Sequence, residues 1–168
     1  MGYTHTLVRE KSLDPVRFVG FVGDCKKIID NSDVKIIDGE FDEDYHTVIY
    51  GGEPLLSMDM VRFVSPDAYD LFEVEREFKV TWENPDYKVF DQFCKTARHS
   101  YDKVVVACLI AFKRWFPEAI IKSDGEPHDL TEGINLYYSS IDSNYFVKLE
   151  EFGGQTVVDL HFCKMRVN

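Results

Sequence analysis

Apolar positions along this chain follow two rhythms, one with period two and one with helical spacing. In "GYTHTLV", Tyr3, His5 and Leu7 alternate with Thr4 and Thr6, which predicts a first strand with those three on one face. The pattern then changes. Across "LDPVRFVGFVGDCKKIID", Val16, Val19, Cys25 and Ile29, flanked by Phe18, Phe21, Val22 and Ile28, make a wide apolar stripe. Asp14 is placed to cap that helix and Pro15 to open it, giving a helix over about 14–31. Gly20 and Gly23 weaken it by roughly 1 kcal/mol each relative to alanine, so a close approach to a sheet is their expected use.

"VKIIDG" reads as a short strand, "EFDEDYH" as an acidic loop, and "TVIYGGEP" as a strand closed at Gly51-Gly52. "LLSMDMVRFVS" is expected to be one strand. "FEVEREFKVTW" is another, clearest at Phe78, Val80 and Trp82, followed by a loop at "ENPDY". A helix over about 101–116, with Ser100 as cap and Pro117 as stop, is apolar nearly all round, which predicts a central position. "AIIKSDG" is a strand running into an Asp124-Gly125 turn. A smaller helix near 130–140 follows, capped by Asp129, and the Gly153-Gly154 pair turns a final hairpin. The expected fold class is α+β: a single domain, 1–168, with a largely antiparallel sheet packed against two main helices and one smaller helix.

Composition narrows the function classes. With 45% hydrophobic and 14% aromatic residues among 168, the chain can bury a real core and is not a disordered segment. No apolar run approaches the ~20 residues of a membrane helix, and "MGYTHTLVRE" lacks a secretory pattern, so a cytoplasmic protein is expected. Cys25, Cys94, Cys108 and Cys163 are scattered without a CxxC pair, which predicts reduced thiols and no metal site. A formal net charge of -11 leaves little surplus for a basic face, so direct nucleic-acid binding is not expected.

Against that acidic background, "FCKTARHSYDKVVV" gathers Lys95, Thr96, Arg98 and His99 just before the central helix. Two fixed cations, hydroxyls and the unpaired N–H groups of a helix start suit a small anion, a nucleotide or phosphate compound. Arg98 can fork a phosphate, with Lys95 as a supporting point charge. Tyr3, His5 and Tyr101 are the expected walls. The alternative is a brace, in which Arg98 pairs with Asp91, Asp102 or Asp124 and Thr96 ties a turn to the backbone. His5 remains open between a hydrogen-bonded structural residue and a base, a metal ligand or a ligand-contacting group. His128 with Asp124, Glu126 and Asp129 reads as a solvated loop, its spacing unlike a calcium loop. No complete catalytic motif, cofactor motif or metal-ligand pattern is present, and a non-enzymatic role is expected.

"MGYTH", "FCKTARHSYDKVVVACL" and the "SDG" turn at Ser123–Gly125, in that order, resemble a group of small proteins of tailed phages. Those proteins begin Met-Gly-Tyr-Thr-His-Tyr-Trp and carry Phe-Cys-Lys-Thr-Ala-Arg-Lys-Pro-Tyr-Asp. Thr6-Leu7 stand here in place of the aromatic pair, and His99-Ser100 in place of Lys-Pro. The resemblance does not extend over Glu40 to Asp86. It implies a viral or prophage origin and action in the host cytoplasm, and it carries no activity. Two functions follow as expectations. One is an accessory protein that binds a small anionic ligand. The other is an acidic interaction protein that captures a host protein, as a nucleic-acid mimic or anti-defence factor, through Asp42, Glu43, Asp44, Asp67 and Asp70.

Overall fold

The structure, a computed structural model, describes residues 3–78 and 89–163. In chain order the elements are β1 (Thr4–Glu10), α1 (Pro15–Asn31), β2 (Asp38–Phe41), β3 (Val48–Gly51), β4 (Leu55–Leu56), β5 (Met60–Phe63), β6 (Phe72–Glu75) and β7 (Val89–Lys95). They continue with α2 (Asp102–Trp115), β8 (Ile120–Ser123), a 3-10 turn (Pro127–Leu130), α3 (Thr131–Ser140), β9 (Tyr145–Phe152) and β10 (Gln155–Phe162). The α+β class and the antiparallel sheet with two main helices and a smaller one are as the sequence predicts.

The main sheet has five strands in the order β7-β1-β8-β10-β9, with every neighbouring pair antiparallel. His5 stands opposite Cys94 on one side and Ser123 on the other, and Leu7 opposite Gln92 and Ile121. Because side chains alternate across a strand, Tyr3, His5, Leu7 and Arg9 all fall on one buried face. That inner face meets α2, whose residues from Val104 to Phe112 are all buried. Among the described residues, two small sheets, β2-β3 and β4-β5-β6, accompany it.

α1 begins as its sequence dictates. The Asp14 carboxylate accepts from Arg17 N at 2.9 Å, and Pro15 fills the first turn. Its buried face, Phe18, Phe21, Cys25 and Ile28, lies against α2, with Phe21 edge-on to Phe112 at 5.1 Å. Buried Asp24 locks the two helices by accepting from Arg114 Nη1 and Trp115 Nε1, each at 2.9 Å. Gly20 does make a close approach, but to this helix and not to a sheet. A Cβ there would lie 2.5 Å from the Trp115 ring, whereas Gly23 has nothing within 4 Å.

Other expectations are corrected. Leu55–Phe63 is not one strand but the hairpin β4-β5. The Ser57 hydroxyl turns it by accepting from Asp59 N and Met60 N. β6 ends at Glu75, so Phe78 lies beyond the strand, and Val80, Trp82 and the "ENPDY" loop fall outside the described residues. Ser100 does not cap α2, which is preceded by Tyr101 with no side-chain cap bond. Asp129 does not cap α3. It closes a reciprocal capping box with Glu126 around the 3-10 turn. Among the described residues, no helix is long and apolar enough to cross a membrane.

Candidate functional site

The segment between β7 and α2 is held in an uncommon backbone conformation. Ala97 and Arg98 both have positive φ, 48° and 59°. Each such residue with a Cβ costs on the order of 1 kcal/mol, so consecutive ones need outside support. That support is present at every step. Ala97 N donates to Tyr3 O at 3.1 Å, tying the turn to the start of β1. His99 N donates to Thr96 O and Asp102 N to His99 O, each at 2.9 Å. Asp67 holds the far end, accepting from Ser100 N at 3.2 Å and Ser100 Oγ at 2.7 Å, while Ser65 Oγ donates to it at 2.5 Å. The Ser65 hydroxyl above all, joined by the Ser100 hydroxyl and N–H, outweighs the opposing effect of burial and keeps the Asp67 carboxyl well below the usual carboxylate range.

Asp102 is the hub behind this turn. One oxygen, Oδ1, accepts from His5 Nε2 at 2.7 Å and from Thr96 Oγ1 at 2.5 Å. His5 is 2% exposed, so its partner must satisfy it inside the protein. Residues from β1, the end of β7 and the first turn of α2 are thereby joined at one carboxylate. In this arrangement His5 does not activate the Thr96 hydroxyl as a nucleophile. A base must touch the hydroxyl it deprotonates, and here both His5 and Thr96 touch the carboxylate instead. Tyr3 sits edge-on to His5 with ring centroids 4.9 Å apart. Burial first, and the negative Asp102 second, push the Tyr3 phenol well above its ordinary range. Its hydroxyl has no hydrogen-bond partner among the described residues.

In front of Tyr3 lies a depression of about 550 Å³. Its walls come from Tyr3, the turn and α2 (Arg98, His99, Ser100, Asp102, Lys103), the segment after α1 (Asp33, Val34, Lys35), the 3-10 turn (Asp129) and the start of α3 (Glu132). The Arg98 guanidinium lies over the Tyr3 ring, 4.5 Å from its centroid, a cation–π arrangement. Arg98 is 60% exposed, and its one ion pair among the described residues is to Asp129 Oδ2 at 3.3 Å. Partial burial pushes the Asp129 carboxyl up, but the Glu126 N–H and Arg98 outweigh it and hold it below its usual range. Lys103 pairs with Asp33 at 2.6 Å across another part of the wall.

Of the residues the sequence singled out, Tyr3, Arg98 and His99 share the depression. His5 and Thr96 stand behind its wall, connected through Asp102. Lys95 is exposed opposite Thr4, on the sheet face away from His5, and only its backbone N–H engages this region, donating to Asp70 at 2.6 Å. Tyr101 is fully buried, its hydroxyl donating to Asp70 O at 2.6 Å, so it supports the turn from within the core. Neither lines the depression. Arg98 pairs with none of Asp91, Asp102 and Asp124, and Thr96 bonds a carboxylate, so neither the convergent site nor the forked brace is what forms. Asp102, Lys103, Asp129 and the Asp33–Lys35 segment escaped sequence reasoning as site residues. Among the described residues, no group of three or more His, Cys, Asp or Glu is placed to hold a metal ion.

No family model, no curated protein and no solved structure matches this chain.

Proposed function

We propose that this protein is a virus- or prophage-encoded accessory protein that binds a small anionic ligand, a nucleotide or phosphate compound, in the depression in front of Tyr3. The observation that carries the reading is Arg98. Two residues of positive φ, tied down by Tyr3 O, Asp102 and Asp67, hold a largely exposed guanidinium over a buried ring at the mouth of a concave site. Strained backbone persists where the surroundings fix it, and such fixing is spent here on orienting one cation. Lys35 and Lys103 lie on the same walls. The volume falls in the range of small-molecule sites. Thermal-shift measurements with phosphate, AMP and ATP test the reading. Stabilisation by at least one of them, lost in Arg98→Asn, is expected, and no stabilisation by any overturns it. Asparagine is the substitution of choice because it tolerates positive φ.

A second reading, capture of a basic host protein, rests on a different surface. Beside β6 and β7, exposed Phe41 and Phe93 flank Glu73 and Glu75 in one shallow depression. Burial, and then the neighbouring Glu75, push the Glu73 carboxyl up. Asp67 and Asp70, by contrast, are occupied as ties of the turn. Salt-sensitive binding of a lysine- and arginine-rich peptide, abolished in the Glu73→Gln/Glu75→Gln double variant, is the outcome this reading requires.

A further inference from the structure

The charges around the depression say more about its ligand than that it is an anion. Three cationic side chains, Lys35, Arg98 and Lys103, share the walls with four carboxylates, Asp33, Asp102, Asp129 and Glu132. A ligand with several negative charges and no positive one meets repulsion from those carboxylates wherever it sits. Resting on the anion-binding reading above, we infer that the ligand is a small phosphate that also carries an amine, bound as a zwitterion.

The assignment follows from which charges are already engaged. Asp102 is taken by His5 and Thr96, and Lys103 by Asp33. Lys35 and Glu132 have no ion pair among the described residues, one charge of each sign on different walls. Arg98 is held to Asp129 by one long contact of 3.3 Å and is free to turn towards a phosphate. When it does, Asp129 loses the guanidinium and keeps the Glu126 N–H at 2.9 Å on Oδ2, with His128 Nε2 3.6 Å from Oδ1. A carboxylate so placed can take a new positive partner. A ligand ammonium beside Asp129 and Glu132 supplies it, while the phosphate takes Arg98 and Lys35. Binding is then an exchange of ion pairs, with the phosphate between two cations and the ammonium between two carboxylates.

The test compares two ligands that differ only in the amine, propyl phosphate and 3-aminopropyl phosphate, by titration calorimetry on the full chain. The amine-bearing compound binds about tenfold tighter, the scale of one added charge contact. In Glu132→Gln, an exposed substitution outside the core, that preference falls to about threefold or less while propyl phosphate binds at least as well as before. In Arg98→Asn both ligands are lost. Equal or tighter binding of propyl phosphate to the unmodified chain, or an undiminished preference in Glu132→Gln, overturns the zwitterion and leaves anion binding standing. Failure of both compounds, together with phosphate and ATP, overturns anion binding itself.

Discussion

The ring of Tyr3 occupies the space that a side chain on Gly125 would need. A Cβ built on Gly125 overlaps Tyr3 Cε2 and lies 3.0 Å from both Cζ and the hydroxyl oxygen. Gly125 has an ordinary backbone, so the requirement is steric. Tyr3 in turn carries the guanidinium of Arg98 over its ring. Gly125→Ala therefore destabilises the protein by about 1–3 kcal/mol, the scale of overpacking a filled site. It also weakens anion binding, by displacing the ring under Arg98. Denaturant unfolding and a thermal-shift titration check both effects, and a fully tolerated alanine contradicts the packing.

Asp102 has two buried dependents. Asp102→Ala leaves His5 and Thr96 without their acceptor, at a cost of about 2–6 kcal/mol, about 1–3 for each buried group left unsatisfied. Thr96→Val removes only the hydroxyl contact, and about 1 kcal/mol is expected. Unfolding free energies of the two single variants and the double variant test this. If the three share one network, the effects are less than additive.

The Asp67 carboxyl titrates lower in the folded chain than unfolded, held down chiefly by Ser65. A depressed carboxylate stabilises the fold above its unfolded range, and the contribution disappears as pH falls through the folded value. Asp67→Asn should thus be less stable than the parent at pH 7, with the gap closing below about pH 4. Urea midpoints at several pH values measure it. A gap independent of pH would show that shape, and not ionisation, is what Asp67 contributes.

Ala97 sits at φ 48°, where its Cβ is a burden. Glycine there relieves the strain but loses more entropy on folding, so Ala97→Gly stabilises by at most about 1 kcal/mol. Ala97→Val, β-branched at a positive φ, destabilises by more than that. If valine is tolerated as well as glycine, the turn does not hold this conformation in solution.

Where punctuation was local, the sequence was readable. Asp14-Pro15 marked the start of α1, and Gly153-Gly154, both at positive φ, turned the last hairpin. β7 escaped because its pattern misleads. Val89 and Phe93 are exposed while Gln92 lies on the same side as Leu7, so polarity does not report burial along this strand. The break at Ser57 was hidden inside an alternating run, and only a serine hydroxyl accepting two N–H groups reveals it. The candidate site was half legible. Residues clustered in sequence announced the turn, but its partners are distant: Asp102 meets His5 across 97 positions and Arg98 meets Asp129 across 31. Asp102 could be read as a partner of the helix dipole. Its second role needs the fold.

The register of β1 also governs when the protein can become itself. β1 lies inside the sheet, and both of its neighbours, β7 and β8, are synthesised some 80 to 120 residues after it. Until then its backbone has no ladder to join. Pairings this far apart slow folding, because the chain must close long loops before any contact rewards it. Truncations ending before β8 should consequently remain unfolded however well α1 and the small sheets form. A nascent chain is expected to gain protease resistance in one late step, after Ser123 has cleared the exit tunnel.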